Sequence, residues 1–270
     1  MTTGRIKQAF DKAASDNRAA LVTFIVAGDP DIETTKAVLT ALPAAGADII
    51  EVGMPFSDPM ADGPVIEAAS KRALANGIRT KDILALVKSF REGDDSTPVI
   101  LMGYYNPIYH YGVKDFCRDA AECGVDGMIV VDLPPEEEQE MRPLLAEDDL
   151  SLIRLIAPTS SEERVAKITK SASGFVYYIS FTGITGASSL DTEPLKDKLY
   201  MLRQHTPVPV VVGFGIKTVQ HVKAVAAHAD GVVVGSALVQ VIASANDKKD
   251  AVQAARTFVK ELAGGLKKVG

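Results

Sequence analysis

Residues 208–236 read VPVVVGFGIKTVQHVKAVAAHADGVVVGS, and their internal rhythm sets the architecture. An apolar run at 208–212 ends in Gly213; helical periodicity occupies 219–227; a second apolar run at 231–234 ends in Gly235. Strands buried on both faces read as unbroken hydrophobic stretches, whereas half-solvated strands alternate. The passage is therefore strand, crossover helix and parallel strand.

The same unit recurs along the whole chain. Further apolar runs bounded by turn residues lie at 21–26, 48–52, 99–102, 127–131, 152–156 and 175–179. Helical periodicity fills 32–42, 83–90, 113–121, 137–145, 163–168 and 195–202, and an amphipathic segment at 250–262 closes the order. Ser160-Ser161-Glu162-Glu163 has the form of a capping box, and Asp29-Pro30 marks a second helix start. Eight strands alternating with helices predict an α/β fold, a (β/α)8 TIM barrel with extra helices, in one domain spanning 1–270. One crossover is enlarged. Roughly forty-five residues separate the second and third runs, far more than a crossover needs. They must hold an inserted loop and an extra helix, and their start contains Pro55, Pro59 and Pro64.

Composition removes several function classes. With 29 basic against 35 acidic residues the net charge is −6, which gives no whole-chain attraction to nucleic acid or anionic lipid. Residues 1–20 show neither an uninterrupted apolar h-region nor a small-residue cleavage site, and no apolar run approaches membrane-spanning length, so a cytoplasmic protein is expected, or a plastid stromal one after loss of a transit peptide. Cys117 and Cys123 are too few and too close for a disulfide framework or zinc site.

Barrel active sites lie at the C-terminal ends of the strands. After the seventh run stands Gly213-Phe214-Gly215-Ile216 and after the eighth Gly235-Ser236, the places where barrels commonly bind phosphate through backbone N–H groups and a helix N-terminus. These glycines also suit plain turns. A third cluster, Thr182-Gly183-Ile184-Thr185-Gly186-Ala187-Ser188-Ser189, reads either as a ligand lid or as an idle surface loop. Only Lys217 is basic in these loops, so an anion would be held mainly by backbone donors.

Glu51 interrupts the second apolar run near its end, where desolvation would raise its pKa and suit it to general acid/base work. The alternative is a core ion pair with Arg154 in the fifth run. Asp62 lies in the proline-rich insertion, either functional or an Asp-Gly turn former. Tyr177 and Tyr178 alternate in face, so one points into the barrel and can reach Glu51; Tyr104 and Tyr105 follow the third run. With Phe24 and Phe214 these rings would line an apolar pocket between acids and phosphate end. No strand end carries a Schiff-base lysine apart from Lys217, and the histidines do not cluster for a metal, leaving general acid/base catalysis.

The stretch Ile50-Glu51-Val52-Gly53-Met54-Pro55-Phe56-Ser57-Asp58-Pro59-Met60-Ala61-Asp62-Gly63-Pro64 closely resembles the signature of the tryptophan synthase alpha chain family. FIVAGDP at 24–30, LMGYYNP at 101–107, VDLP at 131–134, YYISFTGITG at 177–186, GFGI at 213–216 and Gly235-Ser236-Ala237 match further landmarks in order. The resemblance implies a carbon–carbon lyase of tryptophan biosynthesis that cleaves indole-3-glycerol phosphate by a retro-aldol reaction into indole and glyceraldehyde 3-phosphate. Glu51 matches the general acid/base that protonates the indole ring at C3, and Asp62 the carboxylate holding the indole N–H. Phe24, Met102, Ile129, Tyr177, Thr185 and Phe214 match substrate-binding positions, and Gly186, Gly215, Gly235 and Ser236 the phosphate-binding backbone.

A pyridoxal-phosphate beta chain is implied as partner, in an allosteric α2β2 assembly that passes indole through a tunnel, with no cofactor or metal in this chain. Asp58, Pro59, Asn106 and Pro107 fall at interface positions, and 55–62 and 181–195 match two mobile loops. Phe181 and Arg154 depart from the family pattern. Two other readings compete: another phosphate-binding barrel of aromatic biosynthesis, whose lysine or Asp/Cys set cannot be placed here, and a non-catalytic barrel activating a beta partner, which would lack the acids.

Overall fold

The computed structural model describes residues 4–180, 193–213 and 215–268. Nine parallel strands and twelve helices occupy these residues: β1 Ala20–Val26, β2 Ile49–Gly53, β3 Val99–Gly103, β4 Gly127–Val130, β5 Ser151–Leu152, β6 Arg154–Ile156, β7 Val176–Ile179, β8 Val210–Gly213 and β9 Gly231–Val234. The helices are α1 Gly4–Ser15, α2 Ile32–Ala45, α3 Pro64–Ala75, α4 Thr80–Arg91, α5 Tyr105–Tyr111, α6 Val113–Glu122, α7 Arg142–Glu147, α8 Glu162–Thr169, α9 Glu193–His205, α10 Val219–Ala226, α11 Ser236–Ala243 and α12 Lys248–Ala263.

The sheet order is β5-β4-β3-β2-β1-β9-β8-β7-β6. The fifth apolar run is one strand by pattern but two in space: β5 pairs with β4 and β6 with β7, and the change of partner falls at Ile153. That single run joins the two ends of the sheet and closes the TIM barrel. Alternate residues divide cleanly between two cores. Ile49, Ile100, Ile129, Ile153, Phe175, Val211 and Val233 fill the barrel, while Ile50, Leu101, Met128, Val176, Val212 and Val232 pack under the outer helices.

Sequence periodicity does not reveal how the barrel's lower end is sealed. Ile6, Phe10 and Ala13 of α1 enter the interior core, and Phe10 meets Phe175 edge-on with centroids 5.8 Å apart. A set of aspartates secures the same end. Asp48 accepts the Leu21 N–H at 2.8 Å, Asp126 the Val99 N–H at 2.8 Å and Asp230 the Val210 N–H at 2.9 Å. Each carboxylate also meets an arginine, respectively Arg18, Arg91 and Arg203, so neighbouring strands are tied at their starts by charge-assisted bonds.

Several helix boundaries differ from expectation. The segment 137–145 is helical only from Arg142, because Pro143 lacks an N–H and is tolerated only in a first turn. The turns before it are held by charge: Glu136 pairs with Arg164 and Lys167, and Glu138 with Arg154. Ser161 caps α8 by accepting the Arg164 N–H at 3.2 Å, so position N3 is Arg164 and no Glu capping box forms. Asp31 rather than Asp29 caps α2; Asp29 instead pairs with Arg72 of α3 at 2.7 Å. The enlarged crossover contains an irregular loop, α3 and α4. Among the described residues no helix is long and apolar enough to cross a membrane.

Candidate active site

Glu51 shares the inward face of β2 with Ile49, which packs in the barrel core. It is 1% exposed, and its Oε1 has no hydrogen-bond partner among the described residues. Burial without a compensating cation pushes the carboxyl up to about 8, so it is mostly protonated at neutral pH. Arg154 is not its partner. That side chain lies on the opposite face of the barrel wall from Ile153, pairs with the buried Glu138 and donates to the Leu133 carbonyl at 3.2 Å. The reading of Glu51 as half of a core ion pair therefore falls away.

Tyr177 is the tyrosine that points inward, packed against the barrel core, whereas Tyr178 packs under the helices. Burial, and then the nearby Glu51 charge, hold its phenol well above the usual tyrosine range. Both groups thus stay neutral near pH 7. The ring of Tyr177 occupies the space above Gly213, where any Cβ would strike it.

Asp62 closes the loop that leaves β2 and precedes α3. Gly63 caps that helix with ordinary extended backbone, φ −78°, so the Asp-Gly pair starts a helix rather than a left-handed tight turn. Burial raises the Asp62 carboxyl, a hydrogen bond from the Tyr104 hydroxyl lowers it, and the Glu67 charge raises it again. Asp62 lines the barrel mouth with Phe24, Val26, Gly53, Met54, Ile66, Ser70, Met102, Gly103, Tyr104 and Val131.

Phe24 spans the mouth. A Cβ on Gly53 would lie 2.6 Å from its Cζ, and a Cβ on Gly235 would lie 3.5 Å from its Cβ. One ring edge therefore faces the strand that carries Glu51, and its root faces the glycine opening α11. No side chain caps α11 at Gly235, whereas Thr218 caps α10 by accepting the His221 N–H at 3.2 Å. Of these two helix starts, the first is the one left open to an anion. Gly215 adopts φ +73°, a left-handed backbone that glycine accepts freely.

Met102 lines the mouth; Ile129, its register partner on β4, packs in the interior core with Ile49 and Ile100, and Val131, two residues on, lines the mouth. Thr185, Gly186 and Phe214, and residues 181–192 of the expected lid, lie outside the described residues. Asp58 and Asn106 are exposed, while Pro59 and Pro107 are half-buried. Asn106 and Pro107 border a groove of about 610 Å³ together with Phe56, Ser57, Arg79 and His110. Sequence reasoning missed Val26, Met54, Ile66, Ser70 and Val131. Ile66 and Ser70 sit one turn apart on α3, a spacing visible once Pro64 is recognised as a first-turn residue.

The arrangement offers a buried neutral carboxyl on the inner face of β2, a second acid at the barrel mouth and an apolar wall leading to an open helix N-terminus. The family model for the tryptophan synthase alpha chain matches residues 10–267. Tryptophan synthase subunit alpha from Legionella pneumophila str. Paris is 41% identical, with a TM-score of 0.90 and 98% of each chain covered. Tryptophan synthase from M. tuberculosis in an aminoacrylate-bound form is 36% identical, TM-score 0.87, over 98% of this chain and 100% of that one. A structure from Aquifex aeolicus VF5 is 40% identical, TM-score 0.89, over 98% of this chain and all (100%) of the other. The chain belongs to the tryptophan synthase alpha chain family, lyases of tryptophan biosynthesis.

Proposed function

We propose that this chain carries out the alpha reaction on indole-3-glycerol phosphate with Glu51 as general acid/base and Asp62 as the ring-nitrogen partner. The observation that carries the reading is the buried Glu51, whose Oε1 has no hydrogen-bond partner among the described residues and whose burial keeps it mostly protonated near neutrality. Glu51 gives its proton to ring carbon C3, and positive charge develops towards the ring nitrogen. The Asp62 carboxylate accepts the ring N–H and stabilises that charge in a site of low polarity. Glu51, now a carboxylate, takes the proton of the side-chain hydroxyl next to the ring. The carbon–carbon bond then breaks, its electrons return to the ring, and the aldehyde of glyceraldehyde 3-phosphate forms. Protons balance, because the hydroxyl replaces the one delivered to C3.

The rest of the mouth serves orientation. Phe24, Met102 and Tyr177 pack the ring, and Gly215, Gly235 and Ser236 bind the phosphate through N–H groups and the start of α11. Thr185, Gly186 and Phe214 complete this set. No cofactor resides in this chain. The partner is a pyridoxal-phosphate beta chain in an α2β2 assembly, in the cytoplasm or a plastid stroma. Support comes from exposed apolar residues: Met60 and Tyr109, two of three such large side chains among the described residues, lie on the loop and helix that carry Asp58, Pro59, Asn106 and Pro107. Burying them against a partner is favourable.

Glu51→Gln tests the chemistry. The variant should release no indole while binding glyceraldehyde 3-phosphate like the unaltered protein; turnover by it would overturn the acid/base assignment.

A further inference from the structure

Between Met54 and Gly63 the chain forms neither helix nor strand, so something outside the loop must set where the Asp62 carboxylate stands. Tyr104, the residue after β3, touches that loop near both ends. Towards its start the Phe56 ring stacks on the Tyr104 ring, with centroids 5.1 Å apart and planes inclined by 29°. Towards its end the Tyr104 hydroxyl accepts the Ala61 N–H at 3.1 Å, next to Asp62, and Tyr104 and Asp62 line the same mouth. Tyr104 is only 3% exposed. Its backbone is fixed from the other side, because it caps α5 and Asp132, just beyond β4, accepts the Tyr105 N–H at 2.7 Å.

We propose that Tyr104 is the positioning residue for Asp62: through the Ala61 N–H and the Phe56 ring it staples the loop to the end of β3, and so sets the Asp62 carboxylate where the substrate's ring nitrogen arrives. The inference rests on the role given to Asp62 above. Tyr104 reaches Asp62 from the end of β3, and Glu67 faces it from α3. The hydroxyl favours the ionised carboxyl; the Glu67 charge and burial oppose it. Loss of the hydroxyl therefore loosens Asp62 and makes it harder to ionise, while a phenylalanine keeps the stack on Phe56.

The test is a double-mutant cycle on Tyr104→Phe and Asp62→Asn in the full chain. It reads kcat and KM across pH, together with the affinity for indole-propanol phosphate, which remains measurable in inactive proteins. Tyr104→Phe is expected to lower kcat about tenfold, the upper end of what one lost hydrogen bond accounts for. It should move the acidic limb of kcat/KM to higher pH and leave glyceraldehyde 3-phosphate binding unchanged. In the Asp62→Asn background the same change should cost no further affinity for the analogue. A folded Tyr104→Phe protein whose acidic limb stays in place, or one whose affinity loss is the same in both backgrounds, overturns the positioning role. Full activity in Asp62→Asn would instead overturn the reading of Asp62, and this inference with it; an inactive Asp62→Asn beside an unaffected Tyr104→Phe removes this inference alone.

Discussion

Replacing Glu51 by glutamine should stabilise the fold while it removes the chemistry, and the size of the gain should depend on pH. The carboxyl titrates near 4.5 when unfolded and about 8 in the fold, because burial disfavours its charged form. The folded state thus binds the proton more tightly than the unfolded chain. Its advantage is full below pH 4.5 and is lost as pH rises through 8. Between those values the loss runs at about 1.4 kcal/mol per pH unit, which amounts to about 3 kcal/mol at pH 7. Glutamine has the same shape and no charge to desolvate. For a barrel of this size about 3 kcal/mol corresponds to a rise in melting temperature of roughly 6 °C. Thermal unfolding of both proteins from pH 5 to pH 9 measures it. The curves should nearly converge at the acid end, separate by several degrees at pH 7 and separate further at pH 9. A gap that stays constant with pH, or a glutamine variant that melts lower at pH 8, would refute the claim that Glu51 is held buried without a partner.

Three further outcomes are expected. Asp62→Asn should lose most of the indole release, since the amide cannot balance the charge on the ring nitrogen; unchanged kcat/KM would count against that role. Gly53→Ala would put a methyl 2.6 Å from the Phe24 ring and force it across the mouth, so KM should rise about tenfold with a stability cost of about 1–3 kcal/mol; an unaltered KM would show that Phe24 does not define the ring pocket. Asp126→Ala leaves the Val99 N–H and the Arg5 and Arg91 guanidiniums without their shared carboxylate, at a cost of about 3 kcal/mol in chemical denaturation. A loss below about 1 kcal/mol would mean that water or the neighbouring Asp94 and Asp95 replace it.

Much of the barrel was written locally. Most strands are buried on both faces, so runs such as Leu21-Val22-Thr23-Phe24-Ile25-Val26 announce themselves without knowledge of their neighbours. Glu51 stood out for the same reason, as a carboxylate inside an apolar run, and the resemblance picked out Asp62. What stayed hidden depended on partners distant in the chain. The Ile6, Phe10 and Ala13 stripe of α1 is a visible helical face, yet nothing local says that it plugs a barrel. Leu152 to Ile156 reads as one strand until closure obliges its two halves to pair with different neighbours.

The amino-acid sequence by itself therefore determined the alternation of strands and helices, the barrel they imply and Glu51, because period and residue type are properties of a short window; Asp62 came from the family resemblance. Only the tertiary structure decided that Glu51 has no counter-charge among the described residues, that Arg154 belongs to Glu138, and that Tyr104 reaches back to the loop before Asp62 to accept the Ala61 N–H. A carboxyl's pKa is set by the dielectric and the donors that surround it, and those are assembled only when distant segments meet.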